Sequence, residues 1–142
     1  MRILVIDGQG GGVGGRLVAS LREKVLPGAQ IICVGTNVLA TNAMLKAGAD
    51  AGATGENAVV YNAVRADVIL GPIGLLLANA MLGEVTPAMA RAVSESRAQK
   101  LLIPASKCAV SVMGVESRPL SAYIAQAADT VYRLCAQETE QP

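Results

Sequence analysis

Between an apolar run at residues 2–6 (Arg-Ile-Leu-Val-Ile) and a stretch of helical periodicity lies Asp7-Gly8-Gln9-Gly10-Gly11-Gly12-Val13-Gly14-Gly15. Six glycines in the eight positions 8 to 15 leave few architectures open. Glycine admits positive φ and lets backbone N–H groups come close to a partner that a Cβ would hold away. After the turn, Val13, Leu17, Val18, Leu21 and Val25 recur at helical spacing, and Pro27-Gly28 stops the helix. A buried strand, a glycine turn and an amphipathic helix in that order are the opening of a parallel α/β sheet.

The rest of the chain keeps the alternation. Gln30 to Gly35 reads as a second buried strand, and Asn37 caps a helix carrying Val38, Leu39, Met44 and Leu45 that closes near Gly48. Residues 51–57 (Ala-Gly-Ala-Thr-Gly-Glu-Asn) read as a small-residue loop before a short helix from Ala58 to Val64. Ala66 to Gly71 is the third expected strand, stopped by Pro72, and Ile73 to Leu82 an apolar helix. Thr86-Pro87 opens a helix to about Arg97, with a capping residue before a proline at the first helical position. Lys100 to Ile103 is the fourth expected strand and Val110 to Val115 the fifth. Pro119 opens a last helix bearing Leu120, Ile124, Ala127, Ala128, Val131 and Leu134, and Gln137 onward looks like a frayed polar tail. The expectation is a three-layer, Rossmann-like α/β domain over residues 1–137, with a mostly parallel sheet of about five strands and a tail at 138–142.

Composition removes several function classes. Twelve basic against 11 acidic residues give a formal charge of +1, no footprint for nucleic acid or an anionic membrane. With no Phe, no Trp and three Tyr, base-stacking platforms are not expected. The absence of His excludes a Ser-His-Asp triad and a His-ligated metal. Cys33, Cys108 and Cys135 show no CxxC spacing, no leader-like segment stands at Met1, and no apolar run reaches the roughly 20 residues of a membrane span. The expected setting is the cytoplasm. An apolar chain of this size is expected to form a homo-oligomer, a dimer foremost.

Gly10, Gly12 and Gly15 satisfy G-x-G-x-x-G, and the helix start that follows adds unpaired donors and a positive dipole end. Two readings stand: a seat for the phosphate of a nucleotide, or a turn that only packs the helix on the sheet. Gly8, Gly12, Val13 and Gly14 resemble the G-x-x-x-G-[IV]-G turn of short-chain dehydrogenases, which implies a nucleotide-type loop. The Tyr-x-x-x-Lys pair of those enzymes is missing, since Tyr61 is followed four residues on by Arg65, Tyr123 by Ala127 and Tyr132 by Ala136. At the level of the whole chain, residues 5–12, 35–37, 52–57, 69–73, 83–87 and 102–104 resemble a bacterial domain-of-unknown-function family, chiefly of anaerobic Firmicutes. That resemblance implies a Rossmann-like fold and no particular activity.

Ligands of parallel sheets sit outside the carboxyl ends of the strands. The candidate binding residues are therefore Gly8, Gln9, Gly10, Gly11, Gly12, Val13, Gly14, Thr36, Asn37, Gly71 and Pro72. No acid stands at the end of strand two to hold a ribose, so NAD, NADP or another nucleotide all remain open, and Thr36 and Asn37 serve either a ligand or a helix cap. Asp7 either orients the glycine turn or bridges phosphates through a cation. Glu56 is a candidate acid/base or a first-turn acid favoured by the helix dipole. Lys107, in the Ser106-Lys107-Cys108 loop, is a candidate for an anionic substrate, and Cys108 beside it a conceivable nucleophile. Three functions compete: a nucleotide-binding protein; a small enzyme with Glu56 or Asp7 in proton transfer and Lys107 holding an anionic substrate; and a non-catalytic subunit or sensor that docks a partner on the 73–82 helix.

Overall fold

A computed structural model describes residues 1–24, 26–104 and 109–140. The elements in chain order are β1 (Arg2–Asp7), α1 (Gly12–Arg22), β2 (Gln30–Gly35), α2 (Val38–Lys46), β3 (Ala51–Thr54), α3 (Glu56–Ala63), β4 (Val68–Pro72), α4 (Pro87–Glu95), β5 (Gln99–Ile103) and α5 (Leu120–Glu140). All five strands are parallel, in the order β3-β2-β1-β4-β5. The chain winds outward from β1 to β3, then returns to lay β4 against the other side of β1. The order reverses between β1 and β4, where open α/β sheets place their ligand crevice.

β1 is apolar from Ile3 to Ile6 because both of its faces are covered. Ile3 and Val5 pack with Leu17, Val18 and Leu21 of α1, Met44 of α2 and Ile124, Ala128 and Val131 of α5. Leu4 and Ile6 face the other way, onto Val59 and Ala63 of α3 and Met89 and Val93 of α4. Each fully buried leucine or isoleucine contributes about 2 kcal/mol, so the two-sided burial of β1 anchors the sheet. Asn37 caps α2 by accepting from the Ala40 N–H at 2.9 Å, and Thr86 caps α4 by accepting from Met89.

Four local expectations are corrected. The supposed loop at 51–57 contains β3, an edge strand of small residues paired with β2. A Cβ on Gly52 would lie 2.8 Å from Cys33 Sγ and 3.1 Å from Leu45 of α2, so β2 and α2 leave only glycine at that position, and the strand lacks the usual β-branched run. The apolar helix at 73–82 does not form. A single 3-10 turn spans Ile73–Leu76, and Asn79, Met81, Leu82 and Gly83 all have positive φ, which a right-handed helix forbids. Residues 110–115 make no strand: they are exposed, turn at Gly114 (φ +85°), and the sheet ends at β5. The polar stretch from Gln137 continues α5 to Glu140. Val25 lies outside the described residues, as do residues 141 and 142 at the end of the expected tail.

Candidate functional site

Asp7 continues the Ile3-Val5 side of β1, so its carboxylate points beneath the start of α1. It is 4% exposed and accepts from the N–H of Gly8 (2.8 Å) and of Gly14 (2.7 Å), pinning both ends of the glycine turn. Burial raises its pKa; the N–H groups of Gly14, Gly8 and Val13 oppose that rise, and the nearby Glu84 charge adds to it.

The glycines divide into two kinds. A Cβ on Gly8 would meet Met81 Sδ and Thr36 Oγ1 at 2.7 Å; on Gly14, Met44 Sδ at 2.6 Å and Asp7 Cβ at 2.8 Å; on Gly11 (φ +72°), the Cα of Ala40 at 2.9 Å. These three are glycine because the chain packs against them. Gly10 and Gly12 have nothing within 4 Å of the Cβ position and no positive φ.

The amides divide in the same way. Gly8 and Gly14 donate to Asp7, Gln9 to Glu84, Gly11 to the Gly8 carbonyl and Gly15 to the Gly11 carbonyl. The N–H groups of Gly10 and Gly12 have no acceptor among the described residues. Neither a side-chain cap nor an acidic residue stands in the first turn of α1. The row of bare amides suggested by the sequence is therefore reduced to two, at the positive end of an 11-residue helix.

Those two glycines face an open cleft of about 1140 Å³ at the β1–β4 reversal. Asp7, Gln9, Val13 and Arg16 line it on the glycine side, Pro72 and Leu77–Leu82 at the rim, and Ile103, Leu120 and Tyr123 opposite. Arg16 has no ion-pair partner among the described residues; Arg118, also at the cleft, is paired with Glu116 at 2.7 Å. Sequence reasoning did not single out Arg16; its i+4 offset from Gly12 was the available signal.

On the β2 side the same turn is closed. Glu84 Oε1 accepts from the Gln9 N–H (2.9 Å), the Thr36 hydroxyl (2.8 Å) and the Asn37 amide (2.6 Å), and Asn37 also donates to the Gln9 carbonyl. The Gln9 N–H, followed by Thr36 and Asn37, holds the Glu84 carboxyl below its usual range. Thr36 and Asn37 thus face a carboxylate of the chain itself and do not line the cleft. Glu84 was missed by sequence reasoning, because no local pattern links it to a turn 75 residues away.

The other candidates scatter. Pro72 lines the cleft, whereas Gly71 is glycine because a Cβ there would strike the Ile6 carbonyl. Glu56 is exposed, outside the cleft lining, and accepts from the Thr86 hydroxyl at 2.6 Å, joining the starts of α3 and α4. Ser106, Lys107 and Cys108 lie outside the described residues.

Residues 2–136 match the family described as Domain of unknown function (DUF3842). No curated protein matches the chain. Among solved structures, a dodecameric FMN-dependent Ubix-like decarboxylase from Escherichia coli O157:H7 is similar at 16% identity and a TM-score of 0.47, over 92% of this chain and 76% of that one. A likeness at that level says nothing of ligand or assembly here. Among the described residues, no helix is long and apolar enough to cross a membrane.

Proposed function

The chain belongs to the family described as Domain of unknown function (DUF3842), and from its site we propose that it binds a phosphate-bearing small molecule, of the nucleotide class, in the β1–β4 cleft. The phosphate is received by the N–H groups of Gly10 and Gly12 at the start of α1, with the Arg16 guanidinium as its charged partner. One observation carries this reading: two amides of the turn have no acceptor among the described residues and no Cβ, and both face the cleft. A turn needed only for packing accounts for Gly8, Gly11 and Gly14 and leaves Gly10 and Gly12 without a reason.

The enzyme alternative is narrower than the sequence allowed. Of its described candidates only Asp7 reaches the cleft, and both of its oxygens already accept N–H bonds. The subunit-or-sensor alternative loses the 73–82 helix on which its partner was to dock. The reading includes a homodimer, as the apolar composition suggests, in which the exposed Val110, Val112, Met113 and Val115 supply apolar surface.

Titration of ligand-stripped protein with inorganic phosphate and with nucleotides tests the proposal. Wild type is expected to bind, Arg16→Ala about tenfold more weakly, as the loss of one charge-assisted bond of about 1.5 kcal/mol requires. Gly12→Leu is expected to abolish binding. Equal affinities in all three proteins, or no binding of any phosphate compound, would end the proposal.

A further inference from the structure

We infer that Glu84 sets the ligand class of this site: it closes the β2 half of the glycine turn, so the cleft takes compounds whose phosphate is terminal and turns away dinucleotides. The inference rests on the phosphate-binding reading above and deepens it.

Dinucleotides bound at such a fold straddle the start of the first helix. One half crosses to the end of the second strand, where a strand carboxylate holds the ribose hydroxyls. In this chain that strand ends in Gly35-Thr36-Asn37, without an acid. A carboxylate nevertheless stands at the corresponding place, delivered from the far side by the loop after β4. Its Oε1 already gathers the donors a sugar would use: the Gln9 N–H, the Thr36 hydroxyl and the Asn37 amide. A ribose entering there would have to take the place that the Glu84 side chain fills and pull its Oε1 away from the three donors it already accepts from. No layer of space remains above Gly8 either, since Met81 Sδ and Thr36 Oγ1 lie 2.7 Å from where its Cβ would be.

Glu84 is firmly placed. The loop bonds to itself through Asn79 N–H to the Val85 carbonyl (2.7 Å), Val85 N–H to Ala80, Gly83 N–H to Asn79 and Glu84 N–H to Met81. Three non-glycine residues in it, Asn79, Met81 and Leu82, adopt left-handed φ, a conformation that persists only where surrounding contacts enforce it. Among the described residues, the β4–β5 half has no such barrier. Pro72, Ile103, Leu120 and Tyr123 give it an apolar wall on which the body of a mononucleotide-sized phosphomonoester rests.

The test compares NAD with its two monophosphate halves, adenosine monophosphate and nicotinamide mononucleotide, by calorimetric titration of the full chain. In wild type, NAD is expected to bind more weakly than the better half. Glu84→Ala is expected to raise NAD affinity at least tenfold and leave both halves within twofold. Glu84→Asp, which draws the carboxylate back by one methylene, keeps the comparison available should the alanine variant fold poorly, and its gain for NAD is expected to be intermediate. Wild type binding NAD as tightly as the better half, or tighter, would overturn the inference, as would variants that leave the NAD-to-half ratio unchanged. Loss of the phosphate reading itself has a separate signature, in which neither inorganic phosphate nor either half binds to wild type.

Discussion

The two sides of the glycine turn are made from the same few residues and end in opposite states. Toward β2, the Gln9 N–H, the Thr36 hydroxyl and the Asn37 amide all meet Glu84, so the chain satisfies its own donors. Toward β4, the N–H groups of Gly10 and Gly12 meet no acceptor among the described residues, and an open cleft begins. A folded chain rarely leaves donors unmatched except where water or a ligand completes them. The contrast teaches that a glycine-rich turn is not one binding element; each amide has to be followed to its acceptor.

The comparison breaks most readily at Asp7, which supports both sides. Asp7→Ala leaves the Gly8 and Gly14 N–H groups without their acceptor, at an expected cost of about 2–4 kcal/mol in denaturant unfolding. A variant within 1 kcal/mol of wild type, on the order of one ordinary hydrogen bond, would show that Asp7 does not hold the turn.

Neighbouring glycines sharpen the contrast at a smaller scale. Gly11→Ala places a Cβ 2.9 Å from the Cα of Ala40 at a φ of +72°, and about 2–3 kcal/mol of destabilisation is expected. Gly12→Ala enters open space and is expected to stay within about 0.5 kcal/mol of wild type while weakening phosphate binding. If both variants melt alike, the division of the glycines into packing and ligand-facing kinds is wrong.

The smallest expected effect is in pH. The Gln9 N–H, then Thr36 and Asn37, lower the Glu84 pKa from its ordinary 4.5, so folding favours the ionised form. Its contribution to stability is full above pH 4.5 and fades as pH falls through the lowered value. Asp7 has the opposite sign: burial raises its pKa, so its contribution declines as pH rises through the raised value. The difference in melting temperature between wild type and Glu84→Gln is expected to shrink as pH drops below 4.5; a difference independent of pH would show that the Glu84 charge does not hold the closed side.

Much of the fold was legible in the residues. The apolar run at 2–6, the helical recurrence of Leu17, Val18 and Leu21, the Asn37 and Thr86-Pro87 helix starts and the buried run before Pro72 each sit where the elements form. What misled was composition read without neighbours. Gly52 is glycine in β3 because Cys33 and Leu45 leave no room for a Cβ, and Val110–Val115 has strand-like residues with no strand beside it among the described residues. Ile73–Leu82 is apolar enough for a core helix, yet Leu82 stands 99% exposed at the tip of a left-handed loop.

Hydrophobic period and turn chemistry are local properties, so the sequence alone determined an alternating α/β chain with a glycine turn between its first strand and first helix. Which amides of that turn remain open was decided by the tertiary structure. It depends on the return of β4 to the side of β1 and on a loop in left-handed conformations that carries Glu84 across 75 positions to Gln9. Contacts over such distances follow from strand order and chain crossing, which no short window of residues encodes.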